Sequence, residues 1–195
     1  MIRFLDFLIS FLGLLLLSPV FLLVYVMIRV DSRGDAFYLQ TRVGKAGRDF
    51  RLMKFRTMRV NADKLGSLTV GAHDSRITRA GYFLRRYKLD ELPQLINVLK
   101  GEMSLVGPRP EIRKYTDLYN DDQKIVLSVR PGITDYASIE YFDENEILGR
   151  STDPENTYVE VIMPAKIKMN MRYIHNRTTG EYFKVLWQTF LKLFR

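Results

Sequence analysis

Two adjacent carboxylates, Asp90 and Glu91, are the residues of this 195-residue sequence best suited to chemistry. The apolar residues that follow them recur at helical spacing, which places the pair near the start of a short helix: Leu92, Leu95, Ile96 and Leu99. Free backbone N–H groups and the positive end of the helix dipole favour ionised carboxylates there, so we expect both acids to be charged at neutral pH. An acidic pair at a helix start is more often a cap than a catalyst, so its surroundings must decide.

Basic residues flank the acidic pair on both sides. Arg85, Arg86 and Lys88 precede it, and a Pro108-Arg109-Pro110 segment follows the helix after an apolar run. Because proline fixes its own backbone angle, Arg109 should be held in one direction, and its planar guanidinium suits bidentate recognition of phosphate. These neighbours favour a site for a phosphorylated substrate.

A second basic cluster lies between residues 42 and 59, within two strand-like segments around a turn that contains Gly44 and Gly47. Aromatic and branched residues on either side of this turn predict a β-hairpin. The cluster has one acid, Asp49, and seven cations: Arg42, Lys45, Arg48, Arg51, Lys54, Arg56 and Arg59. For most of these cations, a solvated face or contact with anionic lipid headgroups is an equally good interpretation.

The elements that must position these residues begin with 22 uncharged residues, Phe7 to Ile28. A helix needs roughly 20 residues to cross the hydrocarbon core of a bilayer, so we expect a membrane segment. Ser18 and Pro19 lie at its centre, where proline kinks or breaks a helix and the serine hydroxyl can satisfy the freed carbonyl. Because basic residues occur at both ends, the residues alone fit a kinked span and a helix that enters the membrane and returns equally well.

Three further segments complete the expected architecture. Residues 77 to 99 are predicted to form helix in two pieces, and residues 61 to 75 a polar loop. Near the C-terminus, aromatic and aliphatic residues recur at helical spacing with cations between them: Tyr182, Phe183, Leu186, Trp187, Phe190, Leu193 and Phe194. They predict an amphipathic helix that lies on a membrane surface or, equally, packs on the core.

Composition excludes several kinds of site. The chain has no cysteine and only two histidines, which rules out disulfides, thiolate zinc sites and histidine-rich metal sites, so any metal must be bound by oxygen. The formal charge of +8 favours an anionic partner: nucleic acid, a phospholipid surface or a phosphorylated substrate. The length fits one domain of ordinary size.

Taken in order, these segments resemble the small bacterial phosphoglycosyl transferases, also called bacterial sugar transferases. The motifs that carry the resemblance are Leu89 to Leu95, Asn97 to Ser104, Val106 to Pro110 and Arg130 to Thr134, with Ser18-Pro19 in the N-terminal segment. The resemblance implies one monotopic α+β domain. Residues 1 to 33 would form a re-entrant membrane helix, and residues 34 to 195 a cytoplasmic catalytic domain that rests on the bacterial inner membrane through amphipathic helices around a small β-hairpin.

The resemblance also implies a reaction and residue roles. The family moves a sugar 1-phosphate from a UDP-sugar to undecaprenyl phosphate and releases UMP, as the first membrane step of glycoconjugate assembly. Asp90 would be the nucleophile that forms a covalent phosphosugar intermediate, and Glu91, with Asp90, would bind Mg²⁺. The implied substrate-binding cations are Lys54, Arg85, Arg109, Arg42 and Arg130. Membrane lipids are expected partners, nucleic acid is not, and a homodimer is left open.

Two segments depart from the family pattern, and two other functions remain as alternatives. Asp135 to Phe142 replaces a Trp-Ala-Gln-Val-Asn-Gly-Arg stretch of many members, which leaves the sugar unidentified, and Asn170 stands where relatives often have Asp, so it receives no catalytic role. One alternative is a membrane-anchored protein that binds nucleic acid or lipid, and its nucleic-acid binding would weaken steeply with salt. The other is a glycosyl transferase, which would release UDP instead of UMP.

Overall fold

The computed structural model describes residues 1–62 and 74–193, which form an α+β domain with a long N-terminal helix. Its helices are α1 (Ile2–Asp31), α2 (Arg79–Arg86), α3 (Gln94–Lys100), α4 (Arg113–Thr116), α5 (Tyr136–Glu140), α6 (Glu144–Gly149), α7 (Pro154–Thr157), α8 (Met163–His175) and α9 (Thr179–Leu193). Its strands are β1 (Phe37–Val43), β2 (Asp49–Phe55), β3 (Ser104–Val106) and β4 (Gly132–Thr134). Most of the polar loop predicted for residues 61 to 75, and Phe194 of the predicted C-terminal helix, lie outside the described residues.

Two small sheets organise the domain. Strands β1 and β2 pair antiparallel, from Phe37 opposite Phe55 to Val43 opposite Asp49, which confirms the predicted hairpin. Strands β3 and β4 pair in parallel, with Ser104 opposite Gly132. Residues 130 to 134, one of the motifs that carry the family resemblance, therefore contain a strand.

Helix α1 contacts the rest of the domain at both of its ends. At its N-terminal end, the Arg3 guanidinium donates hydrogen bonds of 2.6 and 3.0 Å to backbone carbonyls in the last turn of α3. Near its C-terminal end, Val24 and Ile28 are buried against the hairpin and α2. Among the described helices, α1 alone is long and apolar enough to cross a membrane by length and composition. It ends at Asp31, inside the N-terminal segment predicted to end at residue 33.

A buried acid near the start of α1 strengthens the first of these contacts. Asp6 is 1% exposed and accepts hydrogen bonds from the Ser104 hydroxyl, the Leu105 backbone N–H and the Tyr182 hydroxyl, at 2.9 to 3.0 Å. These donors belong to β3 and α9, so one carboxylate joins three elements. Asp6 was not among the predicted residues, although an acid directly before the uncharged stretch is visible in the sequence.

The proline at the centre of α1 is accommodated without dividing the helix. Helix α1 continues through Pro19, and the Ser18 hydroxyl donates a 2.8 Å hydrogen bond to the Leu15 carbonyl. That carbonyl would otherwise lose its helical donor, because the proline four residues later has no N–H. The predicted compensation by serine is present, whereas a break into two separate helices is not.

The C-terminal helix α9 is amphipathic, as predicted, and its two faces have different surroundings. Tyr182 and Val185 are buried in a core cluster with residues of α3, β2 and β3. On the outer face, Trp187 and Phe190 are exposed and their rings stack 5.7 Å apart. The helix therefore packs on the core with one side and presents aromatic surface with the other.

Candidate active site

The acidic pair lies on a short 3-10 turn, Leu89–Glu91, that leads into α3. The sequence predicted one helix starting near Asp90, but the α-helix starts at Gln94, directly after Pro93. An α-helical hydrogen bond to the Leu89 carbonyl would need an N–H on residue 93, which proline lacks, so Leu92 donates to that carbonyl at 3.2 Å instead. The resulting turn sends two consecutive carboxylates into different surroundings.

Asp90 is buried without a full set of hydrogen bonds. It is 8% exposed, it lines a cavity of about 460 Å³, and its Oδ1 atom accepts no hydrogen bond from the described residues. Burial, and then the neighbouring Glu91 carboxylate, raise the pKa of Asp90, while Lys54 and Arg85 oppose this rise. The expected helix start favours the charged form of Asp90, whereas burial, which the sequence does not reveal, disfavours it.

Glu91 is held between two cations. Arg109 donates two hydrogen bonds to this carboxylate, one of them 3.1 Å long to Oε2, and Lys54 Nζ lies 3.2 Å from Oε1. Burial alone would raise the pKa of Glu91, but Arg109 and Lys54 outweigh it and keep that pKa well below its usual range. Glu91 in turn raises the pKa of Arg109, whereas burial lowers the pKa of Lys54.

Arg109 is fixed in place by its own backbone. Its N–H donates a 3.0 Å hydrogen bond to Asp135, the residue that also caps α5. Just before it, β3 and β4 meet so closely that a Cβ atom on Gly132 would lie 2.1 Å from the Gly107 backbone nitrogen. The predicted Pro-Arg-Pro turn therefore directs one guanidinium to a fixed point, and in this structure that point is the Glu91 carboxylate.

The cavity beside Asp90, called here the polar cavity, gathers most of the predicted cations. Its lining includes Lys54, Arg85, Arg109 and Arg42. Arg42 is partly buried and pairs with Glu111, with NH1 and Oε2 3.5 Å apart. The lining also includes residues that sequence reasoning missed, because they come from distant segments without a local motif: Glu111, Glu144, Asn145, Tyr158 and Lys166.

A second cavity, called here the apolar cavity, opens beside Glu91 and Arg109 and has a volume of about 260 Å³. Most of its wall is aliphatic or aromatic: Leu92, Leu95, Leu105, Ile133, Ile139, Phe142, Leu186 and Leu193. Its polar and charged lining consists of Lys88, Glu91, Arg109, Thr134, Ser138, Thr189 and Lys192. No sequence pattern predicted this cavity, since five separate segments form its wall.

Two residues considered in the sequence analysis lie away from both cavities. Arg130 donates a 2.8 Å hydrogen bond from Nε to the Gly101 carbonyl, so it ties the end of α3 to the start of β4 and is not brought to the acidic pair. Asn170, which received no catalytic role, is 5% exposed and lines neither cavity.

The acidic pair fits a magnesium ion that arrives with its substrate. No group of three or more His, Cys, Asp or Glu side chains converges within residues 1–62 and 74–193. Among the described residues, Asp90 Oδ1 has no hydrogen-bond partner, whereas both Glu91 oxygens already accept hydrogen bonds. Mg²⁺ is commonly bound by only one or two carboxylates, with substrate phosphates and waters completing its shell. An ion held by Asp90 and Glu91 would therefore take most of its ligands from phosphate and water.

Comparison with known proteins gives consistent matches. Residues 1–195 match a family model described as bacterial sugar transferase. The chain is 38% identical over 177 residues to the UDP-N-acetylgalactosamine-undecaprenyl-phosphate N-acetylgalactosaminephosphotransferase of Aeromonas hydrophila, covering 89% of this chain and 39% of that protein. It is 33% identical over 192 residues to the UDP-glucose:undecaprenyl-phosphate glucose-1-phosphate transferase of Escherichia coli K12, covering 97% of this chain and 39% of that protein.

A third relative is closer to this chain in length. The exopolysaccharide production protein ExoY of Sinorhizobium fredii is 39% identical over 147 residues, covering 68% of this chain and 65% of that protein. The chain thus spans 39% of the Aeromonas and Escherichia relatives and 65% of the Sinorhizobium one.

Proposed function

Because this chain belongs to the bacterial sugar transferase family, we propose that it transfers a sugar 1-phosphate from a UDP-sugar to undecaprenyl phosphate and releases UMP. The observation that carries the proposal is Asp90, a buried carboxylate whose Oδ1 has no hydrogen-bond partner within residues 1–62 and 74–193, beside a cavity lined by Lys54, Arg85 and Arg109. Such cations suit a diphosphate substrate. The names of the Aeromonas and Escherichia relatives supply the classes of donor and acceptor.

In the proposed first step, the ionised Asp90 carboxylate attacks the phosphorus that carries the sugar. The bond between this phosphorus and the bridging diphosphate oxygen breaks, and UMP leaves with that oxygen and its electron pair. No general base is needed, since a carboxylate carries no proton at the attacking oxygen. The raised pKa of Asp90 makes its ionised form more basic than an ordinary aspartate, which supports its use as a nucleophile.

In the second step, a phosphate oxygen of undecaprenyl phosphate attacks the aspartyl phosphorus. The bond between the Asp90 carboxylate and phosphorus breaks, which restores the free carboxylate and yields undecaprenyl-diphosphate-sugar. Transfer in two steps lets the soluble donor and the lipid acceptor react in turn, so ping-pong kinetics follow.

Glu91 and its two cations prepare the site for the donor. With Glu91 ionised, Arg109 and Lys54 are held beside Asp90, where each can shift part of its contact to a phosphate oxygen. Mg²⁺ held by Asp90 and Glu91 together with the diphosphate would neutralise charge on that diphosphate. Requirement for this ion is part of the proposal, and removal of divalent cations with EDTA should abolish turnover.

The contacts of α1 support a membrane segment that does not cross the bilayer. Both ends of the helix pack on the same domain, whereas a crossing would separate them by roughly 30 Å of hydrocarbon. Residues 1 to 33 are thus proposed as the re-entrant segment, with residues 34 to 195 in the cytoplasm at the inner membrane. Cysteines that replace Ile2 and Arg33 should both resist an impermeant thiol reagent in intact cells. Labelling of either one from outside would contradict this topology.

The reaction is tested with purified protein, undecaprenyl phosphate, Mg²⁺ and a panel of UDP-sugars. UMP should form with at least one UDP-sugar, together with a lipid that carries the phosphosugar. Release of UDP would instead indicate a glycosyl transferase. Release of neither nucleotide, with nucleic-acid binding that weakens steeply in salt, would favour the membrane-anchored binding protein.

A further inference from the structure

We propose that the apolar cavity between α3, α5 and α9 binds the phosphate and the first isoprene units of the polyprenyl phosphate acceptor, apart from the site of the UDP-sugar. This inference rests on the proposed function and adds a location for its second substrate.

The two cavities meet at the acidic pair. Asp90 lines the polar cavity, the next residue, Glu91, lines the apolar one, and Arg109 lines both. An acceptor phosphate at this end of the apolar cavity would therefore lie next to the residue proposed to carry the phosphosugar. A donor in the polar cavity would approach Asp90 from another side, as a two-step reaction requires.

The charge at this end of the apolar cavity complements a phosphate. Its charged lining consists of three cations and one carboxylate: Lys88, Arg109, Lys192 and Glu91. Two of the cations converge on one ring, because the ammonium groups of Lys88 and Lys192 lie 4.6 and 5.6 Å from the centroid of Phe142. Since α9 supplies Lys192 and the turn before Asp90 supplies Lys88, a phosphate between them would bridge two elements of the domain.

The remaining wall suits an isoprenoid chain better than a nucleotide or a sugar. Most lining side chains are aliphatic or aromatic, and the hydroxyls of Thr134 and Thr189 already bond each other at 2.7 Å. The volume of about 260 Å³ lies just below the range of about 300–1,000 Å³ typical of whole-ligand pockets. The cavity can thus take only the head end of a long lipid, and the rest must lie outside it.

The surface around the apolar cavity leads toward lipid. Leu193 lines the cavity and is also exposed, and the neighbouring outer face of α9 carries exposed Trp187 and Phe190. On the opposite wall, the side chain of Leu95 lies close to Gly13 of α1, the helix with the exposed apolar face. A polyprenyl chain that leaves the cavity would pass between apolar surfaces.

This assignment gives a role to the segment that departs from the family pattern. Ser138, Ile139 and Phe142 all line the apolar cavity, and the polar cavity contains no residue of 135 to 142 in the part of the chain described. The divergent segment is therefore assigned to the acceptor side of the reaction.

A kinetic experiment tests whether the two cavities bind different substrates. Thr189→Phe should fill the apolar cavity and Lys192→Ala should remove one of its cations. For undecaprenyl phosphate, we expect kcat/KM to fall about tenfold or more in the first variant and about threefold to tenfold in the second. For the UDP-sugar, kcat/KM should stay within about twofold of the parent, because each constant reports one half-reaction of a two-step transfer.

Matched substitutions on α9 serve as controls. Leu191→Phe and Lys184→Ala change exposed residues that line neither cavity, and both kinetic constants should match those of the parent. Melting temperatures identify any variant that fails to fold, and Lys192→Ala, near the end of α9, is the safer of the two test substitutions. An equal loss of both constants in folded Lys192→Ala and Thr189→Phe would overturn the proposal.

A binding experiment keeps this proposal separate from the proposed function. The full chain in liposomes is labelled with a polyprenyl phosphate that carries a photoreactive group in its first isoprene units. Label should appear on peptides of α3, α5 or α9, and undecaprenyl phosphate should compete while undecaprenol and phosphatidylglycerol should not. Label on the polar cavity, or equal competition by undecaprenol, would overturn the proposal. If labelling is as expected but no UDP-sugar yields UMP, the proposed function fails and the lipid site stands.

Discussion

Asp90 and Glu91 are neighbours in sequence, yet their surroundings in the fold are opposite. Glu91 accepts hydrogen bonds from Arg109 and Lys54, and its pKa lies well below its usual range. Asp90 has one buried oxygen without a hydrogen-bond partner in the described part of the chain, and its pKa is raised. Surroundings that shift the pKa values of two neighbouring acids in opposite directions are typical of catalytic pairs in which each acid has its own role.

The difference supports the proposal that Asp90 is the acid that reacts. An oxygen that is already bonded to two cations must lose those contacts before it can attack phosphorus, whereas the free oxygen of Asp90 loses none. Glu91, in contrast, compensates the charge of Arg109 and Lys54 in a buried site and so keeps both beside Asp90. We assign the nucleophilic role to Asp90 and a positioning role to Glu91.

The largest expected effect is a difference in kcat between variants of the two acids. Asp90→Asn should lower kcat by about a thousandfold or more, because the amide cannot form the acyl phosphate. Glu91→Gln should lower it less, by about tenfold to a hundredfold, because the amide oxygen can still accept a hydrogen bond from Arg109. Steady-state UMP release measures both. Equal losses of kcat in the two variants would contradict the assignment of different roles to Asp90 and Glu91.

A smaller effect is expected for the cations that bind Glu91. Arg109→Ala and Lys54→Ala should each lower kcat/KM for the UDP-sugar by about tenfold to over a hundredfold, since each removes a charge-assisted hydrogen bond. Arg113→Ala, at an exposed arginine that pairs with Asp49, is the matched control and should have no effect. If both site variants stayed within about twofold of the parent, these cations would not bind the donor.

The two acids should also have opposite effects on stability. The pKa of Asp90 is raised in the fold, so its contribution to stability is full below its unfolded pKa and is lost as the pH rises through the folded pKa. Asp90→Asn should therefore raise the free energy of unfolding at pH 7, on the order of 1 kcal/mol.

The contribution of Glu91 to stability has the opposite pH dependence. Its pKa is lowered in the fold, so its contribution is present above its unfolded pKa and is lost as the pH falls through the folded pKa. Glu91→Gln should lower the free energy of unfolding at pH 7 by about 2 kcal/mol, because Arg109 and Lys54 lose their counter-charge. Urea denaturation of the two variants measures both changes, and changes of the same sign would contradict the assignment.

The smallest expected effect is a shift in pH dependence. Asp90 must be ionised to attack, so UMP release without acceptor should fall as the pH decreases through a pKa above the usual aspartate value of about 3.9. Glu91→Gln should shift this fall in UMP release to lower pH, because Glu91 raises the pKa of Asp90. Arg85→Ala should shift the fall to higher pH, because Arg85 lowers that pKa. If neither substitution shifted the fall in UMP release, the ionisation that controls it would belong to a group other than Asp90.

Much of the site could be predicted from local sequence. The acidic pair and the Pro-Arg-Pro turn lie in short motifs whose residues are close in the chain, whereas Lys54, one of seven cations of the hairpin region, was singled out only by the family resemblance. The structure brings Asp90, Glu91, Arg109 and Lys54 together, with Arg85 in the same lining.

The rest of the site depends on packing between distant segments, which motifs do not record. The burial that raises the pKa of Asp90 comes from the tertiary fold, and Asp135 reaches the Arg109 backbone across 26 positions. Lys166 joins Glu144 at 2.8 Å and Glu111 at 3.8 Å beside the polar cavity, again without a local pattern. Conversely, Arg130 lies in a matching motif but bonds to a backbone carbonyl away from both cavities.

The same limit applies to the long N-terminal helix α1. Length and lack of charge predicted α1, and Ser18-Pro19 predicted the local hydrogen bond that the structure contains. Contacts of both ends with one domain could not be predicted, because they depend on distant segments: Arg3 and Asp6 meet α3, β3 and α9, and Val24 and Ile28 meet the hairpin and α2.

The central claim, that Asp90 carries the phosphosugar, is tested most directly by mass spectrometry after a single exposure to donor. Enzyme, Mg²⁺ and UDP-sugar without lipid acceptor should give a stoichiometric burst of UMP and a mass increase of one phosphosugar on the peptide that contains Asp90. Both should be absent in Asp90→Asn. No burst, together with intersecting double-reciprocal plots in the full reaction, would contradict the account and indicate direct transfer from donor to lipid in a ternary complex.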